Sequence, residues 1–444
     1  MRAALQHPAR IVPLAFLVAV AIGTGLMMLP AARNDPGHAP FVTALFTATS
    51  AVCVTGLSVV DTPNYWSGFG LVLITVLCQI GGFGIMTLAT LLGLLVSRRL
   101  GLRTRLMAQA ESAGLAQGNV GGVLIRVALV MLVSEAAISV VLLFRFWLAY
   151  DYPLGRAAWY AVFHAVQAFN NAGFALYSDS LVQFVSDWWI CVPLALGVLL
   201  GSLGFPVIFE LAREWRSPAC WTTHTRLTVW GSALLSVVGF AVFIGFEWDN
   251  PETLGPLTLS GKILAAFTQD IMTRSGGFNS IDLGAMNTET IAVTNGLMFI
   301  GGGSASTAGG IKVTTFLLLA FVIWAEVRGE PDVVIGRRRI AEESQRQAIT
   351  IALLGVALVA GGTLALIALT DDVAFDRALF EVTSAFATVG LSTGITGTLP
   401  QSAQVVLVIL MYVGRVGTIA VGAAIALNTR PRHYRYPEER PIVG

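Results

Sequence analysis

The sequence predicts an all-α integral membrane protein: four pseudo-symmetric helix–pore-loop–helix repeats around one central pore, with eight membrane-spanning helices and four re-entrant pore helices. Three observations carry this expectation. The 444 residues are 55% hydrophobic and only 12% charged, about half the charged share of soluble domains. Runs such as "IVPLAFLVAVAIGTGLMMLP" (11–30) and "LVLITVLCQIGGFGIMTLATLLGLLV" (71–96) reach or exceed the roughly 20 residues that cross about 30 Å of hydrocarbon. Between basic segments one pattern recurs four times: a long apolar run, a short amphipathic run ending in a glycine-bearing polar loop, and a second apolar run carrying glycines. A repeat of this kind outranks local readings.

The elements follow in order. Repeat 1 (1–97) has a helix at about 11–30, a pore loop at about 40–57 in "FVTALFTATSAVCVTGL", and a helix at about 67–96. With no small-residue cleavage site clearly following a short apolar core, the first run reads as a retained helix. Repeat 2 (98–213, with the preceding cytoplasmic loop) pairs "IRVALVMLVSEAAISVVLLFRFWLA" with a pore loop at about 157–174 and then "WWICVPLALGVLLGSLGFPVIF". Repeat 3 (214–328) has a helix at about 225–246, a pore loop at about 260–278, and a second helix broken at 301–310. Repeat 4 (329–444) runs from "AITIALLGVALVAGGTLALIAL" through a pore loop at about 374–391 to "AQVVLVILMYVGRVGTIAVGAAIAL" and a basic tail.

Charge sorts by segment. "SRRLGLRTRLMAQ", "REWRSP", "RGEPDVVIGRRRI" and "TRPRHYRYPEERP" are basic, which places them and both termini in the cytoplasm. "DYPLG", "FEWDNPETLG" and "TDDVAFDR" are acidic; they either enrich cations at the outer face or simply solvate it. The four cysteines lack metal spacing.

The middle segments carry the chemistry. Each has about a dozen helix-compatible residues, too few to span, and each ends in a glycine before a hydrophobe: Gly56, Gly173, Gly277 and Gly390. Irregular backbone survives at membrane depth only where protein or water satisfies its amides, so the four loops have to meet at one polar axis. Pore-helix C-termini aimed there favour a cation, and glycine lets carbonyl oxygens line the axis in place of an ion's water shell. The candidate filter residues are Cys53, Val54, Thr55 and Gly56; Asn170, Asn171, Ala172 and Gly173; Arg274, Ser275, Gly276 and Gly277; and Ala387, Thr388, Val389 and Gly390.

Eight stretches in order resemble the Trk/Ktr/HKT superfamily of potassium transporters, over essentially the whole chain. "TSAVCVTGLSVVDT", "FNNAGF", "TRSGGFNSID" and "FATVGLSTGIT" are similar to its four filter loops. "QIGGFGIMT", "LGSLGFPV", "MFIGGGSASTAGGIK" and "MYVGRVGT" are similar to its second-helix signatures, and "YRYPEERPIVG" resembles Ktr-type C-termini. The length and the lack of an additional N-terminal helix pair favour the Ktr-type membrane subunit. The resemblance implies potassium moving inward through a homodimer with one pore per protomer, set among the lipids of a bacterial plasma membrane. It also implies gating by a cytoplasmic ring of nucleotide-binding RCK-type subunits, supplied by a second polypeptide because no G-x-G-x-x-G follows a strand here. Glycine in all four loops accompanies potassium preference in the superfamily. Potassium is held by backbone carbonyls alone, without a covalent cofactor, while sodium coupling stays open.

Gly301, Gly302, Gly303, Ser304, Ala305, Ser306, Thr307, Ala308, Gly309 and Gly310, followed by Lys312, lie between two apolar runs. A broken backbone here has to face the pore beneath the filter, and it reads as a gate that obstructs or withdraws. A bend made only for packing does not need ten helix-poor residues, and a phosphate loop would need glycine before Lys312. Arg415, charged in mid-span, is expected to pair with polar groups of this loop as a barrier to cations; tying helix-end carbonyls is the alternative. Arg274 either braces filter carbonyls from behind or points into the pore. Glu135 reads as a buried hydrogen-bonded partner and His164 as a packed residue. Trp66, Trp188, Trp189 and Trp248 read as interfacial anchors, and Lys262 is left unassigned.

A secondary transporter of an organic solute remains the competing class, although such folds usually show a two-fold inverted repeat. No nucleophile–base pair, H-E-x-x-H or mid-membrane carboxylate cluster supports an enzyme, and nothing points to nucleic acid.

Overall fold

The computed structural model describes residues 8–99, 120–336 and 338–427. The basic stretch at 100–119 and the tail from 428 onward, with what the sequence says of them, lie outside the described residues.

Fourteen helices of ten residues or more are present among the described residues. In chain order, α1 is Pro8–Met27, α2 Phe41–Val52, α3 Gly68–Arg99, α4 Val120–Ala149, α5 Leu154–Asn170, α6 Trp188–Leu203 and α7 Phe205–Glu214. Next come α8 Thr223–Glu247, α9 Leu259–Thr273, α10 Thr288–Phe299, α11 Val313–Arg328, α12 Glu342–Ala368, α13 Phe375–Phe386 and α14 Gln401–Leu427. The long apolar helices cross: Gly122–Ala149, Thr223–Glu247 and Glu342–Ala368 have mean hydropathies of 2.5, 2.1 and 2.4. Side chains on their outer faces, such as Ile125, Val237 and Leu364, are apolar and exposed, the reverse of a soluble surface and suited to lipid.

The short helices α2, α5, α9 and α13 have 12, 17, 15 and 12 residues, or about 18–26 Å at 1.5 Å per residue, and so fall short of the bilayer. Pro40 and Pro153 start α2 and α5 from extended backbone. The Thr258 hydroxyl caps α9 by accepting from the Gly261 amide at 3.2 Å. α5 stops where Asn171 turns left-handed (φ 61°, ψ 38°).

Buried apolar clusters stitch each repeat to the next. Val52 and Val54 pack with Ala172 and Leu176; Val198 with Met272 and Phe278; Ala266 with Phe380 and Val389. Phe46 and Leu57 meet Val382 and Met411, so the fourth repeat returns to the first. The Tyr412 hydroxyl donates to the Pro13 carbonyl at 2.6 Å across that seam. The circle therefore closes around an axis onto which all four short helices end.

Two differences from the sequence reading stand out. The second helix of repeat 2 is not continuous: α6 and α7 meet at 104°, with Gly204 (φ 86°) at the corner and Pro206 in the first turn of α7. Gly-x-Pro is a stop-and-restart signal hidden by the apolar run around it. Trp66 is not an interfacial anchor; it is fully buried in the core that joins α2 and α3, whereas Trp188 and Trp189 are exposed at the start of α6. Lys262, left unassigned by the sequence, lies 4.5 Å over the Trp248 ring and donates to the Trp248 carbonyl at 2.6 Å.

Candidate functional site: a ring of four glycine loops above an intramembrane loop

Each short helix ends at once in a loop with the same backbone signature. Gly56, Gly173, Gly277 and Gly390 have φ of 93°, 73°, 74° and 93°, and two residues earlier Val54, Asn171, Ser275 and Thr388 are also positive, at 55°, 61°, 105° and 47°. Alternating handedness turns peptide groups to one side of a strand. For β-branched Val54 and Thr388 this conformation is an outlier that the surrounding structure has to enforce.

The four glycines meet. A Cβ added at Gly277 would lie 2.8 Å from Gly173 Cα and 2.9 Å from the Val389 oxygen. One at Gly56 would collide with the Ala172 carbonyl, and one at Gly390 with the Thr55 carbonyl. One at Gly173 would collide with Gly277 Cα and stand 3.0 Å from the Gly276 oxygen. Contacts thus run from loop 1 to 2, 2 to 3, 3 to 4 and 4 to 1. The carbonyls facing this ring belong to the residues just before the glycines: Thr55, Ala172, Gly276 and Val389. The second-helix signatures explain how the loops come so close. Added Cβ atoms at Gly81, Gly201 and Gly414 would strike the carbonyls of Val52, Phe169 and Phe386, at or beside the last residues of α2, α5 and α13.

The remaining candidates fall behind the ring. Asn170 is the last residue of α5; its amide donates to Gln79 at 2.8 Å and to Glu135 at 3.1 Å, away from the axis. Glu135 also accepts from Gln79 at 3.0 Å, so it is buried and hydrogen-bonded. Arg274 donates to the Ser232 carbonyl (2.6 Å) and the Ser236 hydroxyl (2.9 Å), both on α8. Its guanidinium therefore ties the third loop back to α8, with its acceptors behind the loop and away from the glycine ring. Cys53 and Ala387 are buried C-caps of α2 and α13.

Directly against the ring lies the segment from Gly301 to Lys312. Its ends are tied by Gly301 N to the Ile311 carbonyl (2.9 Å) and Ile311 N to the Phe299 carbonyl (3.1 Å), so α10 and α11 flank a closed loop. Gly303 N donates to the Ser202 carbonyl at 2.7 Å and Thr307 N to that of Gly201 at 3.1 Å. The break at Gly204 supplies these acceptors, because it frees the last carbonyls of α6. The Thr307 hydroxyl reaches the Asn171 amide at 3.1 Å, and Gly309 N reaches the Ser275 hydroxyl at 3.3 Å. Ser275 in turn donates to the Thr388 carbonyl at 3.2 Å. Added Cβ atoms at Gly302 and Gly309 would collide with Ala308 and Ser202 and with Ala387 and Thr388 respectively. Ser304 meets Thr314 at 3.0 Å, Ser306 donates to the Gly303 carbonyl at 2.6 Å, and Ala305 and Gly310 have φ of 57° and 65°. Two cations grip the loop's backbone: Lys312 Nζ donates to the Ala308 carbonyl at 2.5 Å, and Arg415 Nη1 to the Thr307 carbonyl. Arg415 is 2% exposed. The sequence pointed to Arg415 but not to the α6 carbonyls, since backbone acceptors leave no residue signature.

A family model described as a cation transport protein, TrkH, matches residues 2–430. The chain is 36% identical over 440 residues to the Ktr system potassium uptake protein B of Bacillus subtilis, covering 98% of this chain and 97% of that one. It is 31% identical to the potassium/sodium uptake protein NtpJ of Enterococcus hirae, with coverages of 98% and 97%. The solved structure of the potassium transporter TrkH from Vibrio parahaemolyticus aligns with a TM-score of 0.71 at 19% identity, over 95% of this chain and 84% of that one, and shows that the fold is shared. This chain belongs to the TrkH family of cation transport proteins and is a transporter rather than an enzyme.

Proposed function

We propose that this chain is the pore-forming subunit of a potassium uptake system of the bacterial plasma membrane, with cytoplasmic termini. In this reading the glycine ring is the selectivity filter and the segment from Gly301 to Gly310, with Lys312 and Arg415, is the gate. The observation that carries it is the closed circle of Gly56, Gly173, Gly277 and Gly390 with four carbonyls turned to it: oxygens on a shared axis replace the hydration shell of a monovalent ion. Four pore-helix C-termini add about half a negative charge each. Relatives named for potassium uptake support the choice of ion; the one named for potassium and sodium makes sodium the competitor to measure. The names also speak of a Ktr system, which supports an assembly; we assign to it a second copy of this chain and a cytoplasmic ring of nucleotide-binding RCK-type subunits.

Purified protein in liposomes takes up rubidium or potassium, and the gene rescues a potassium-uptake-deficient bacterium at submillimolar potassium. Uptake of an organic solute without cation movement overturns the reading. Within the gate, Arg415→Met releases Thr307, and since a hydrogen bond to a charged group contributes about 1.5–3 kcal/mol, flux rises about tenfold. The potassium-to-sodium ratio stays put, because the arginine grips the loop and not the filter carbonyls. Unchanged flux in well-folded protein removes Arg415 from the gate.

A further inference from the structure

We propose that His164, Gln269 and Glu381 are positioning residues of the glycine ring: they pin the chain just beyond three of its loops and so set how sharply it tells potassium from sodium. The proposal rests on the ring being the selectivity filter. The three sit at corresponding places on α5, α9 and α13, and all are buried. His164 Nε2 accepts from the Leu176 amide at 3.3 Å, Gln269 Oε1 from the Ser280 amide at 3.0 Å, and Glu381 Oε1 from the Thr393 amide at 2.9 Å. Each of these amides is the third after a loop glycine, namely Gly173, Gly277 and Gly390.

An imidazole, an amide and a carboxylate share one property here, an acceptor aimed at the same backbone donor. His164 Nδ1 faces the Tyr160 carbonyl at 2.7 Å, so the ring proton belongs there and Nε2 is left to accept. Glu381 also accepts from the Ser392 and Thr396 hydroxyls at 2.6 and 2.7 Å. The first repeat departs from the scheme. Thr47 occupies the corresponding place in α2, and its hydroxyl finds no partner among the described residues. That loop is held closer in, where the Ser50 hydroxyl accepts from the Gly56 amide at 3.0 Å; Ser384 does the same for Gly390 at 3.1 Å. Loop 4 is therefore clasped twice and the others once. A carbonyl ring discriminates by size only as far as its oxygens resist closing on the smaller ion, and a pinned exit strand supplies that resistance.

The test is the potassium-to-sodium permeability ratio of purified full-length protein in liposomes. Glu381→Leu and Gln269→Met remove the acceptor and lower the ratio about fivefold, the worth of one ordinary hydrogen bond. Glu381→Gln and Gln269→Glu keep an acceptor and stay within about twofold of the unchanged protein. Thr47→Val, which removes a hydroxyl with no partner, leaves the ratio alone. A normal ratio in the acceptor-free variants overturns the proposal, and so does Glu381→Gln failing as badly as Glu381→Leu, because charge and not position would then matter. If Glu381→Leu does not fold, the Gln269 pair decides alone. Failure of the filter reading shows separately, as an unchanged protein that conducts without discriminating.

Discussion

Deleting Ser304 to Ala308 raises potassium flux about thirtyfold or more while the protein stays folded. The loop is held under the ring by the Ser202 and Gly201 carbonyls, the Asn171 amide and the Ser275 hydroxyl, besides Arg415 and Lys312. The deletion removes the groups that bond Gly201, Asn171, Arg415 and Lys312. At about 0.5–1.5 kcal/mol per neutral bond and twice that for charged ones, their loss shifts a closed state by about 4 kcal/mol or more. Every 1.4 kcal/mol is tenfold in an opening equilibrium, so the gain is capped by how closed the intact pore is. The ends of the excised stretch are already close, since Gly301 bonds Ile311 and Gly302 bonds Val313, and α10 and α11 keep their packing. Rubidium flux into liposomes reads the result; a lower or equal rate at unchanged melting temperature means the loop is a brace and not a barrier.

Gly277→Ser has the second large effect, and it falls on discrimination. The substitution puts a side chain where φ is +74°, at a cost of about 1–2 kcal/mol, and places its Cβ under 3 Å from both Gly173 Cα and the Val389 oxygen. Relief requires the second and fourth loops to move outward, which is overpacking of about 1–3 kcal/mol more. Widening the ring relaxes its hold on the preferred ion, and the potassium-to-sodium ratio falls about thirtyfold, with total cation flux much less affected. Gly56→Ser acts likewise through Ala172, a backbone collision with no flexible side chain to yield. Permeability ratios that do not change take these glycines out of the filter.

How far the residues alone disclose this architecture depends on what leaves a compositional trace. Lipid-facing helices do, because an apolar exterior shows as a long hydrophobic run in each of α4, α8 and α12. The short helices do as well, since α2 and α13 are too brief to span and each is followed four residues on by a glycine, Gly56 and Gly390. The loop from Gly301 to Gly310 is legible because ten helix-poor residues between apolar runs have no place in lipid. The kink at Gly204 is not, because an apolar run conceals a turn unless the following Pro206 is weighed. Positive φ at Val54 and Thr388 is unreadable in principle: propensity argues against it, and only the packing of four loops enforces it. Glu381 does leave a trace, a carboxylate within the short amphipathic helix "RALFEVTSAF" at membrane depth, a placement that ordinarily marks function.

The most direct measurement is a density map of the protein in potassium or thallium at a resolution that shows ions. Density is expected on the axis among the carbonyls of Thr55, Ala172, Gly276 and Val389, with the Gly301–Gly310 segment beneath it. Ions bound elsewhere with that ring bare, or the four loops standing apart from one another, contradict this expectation.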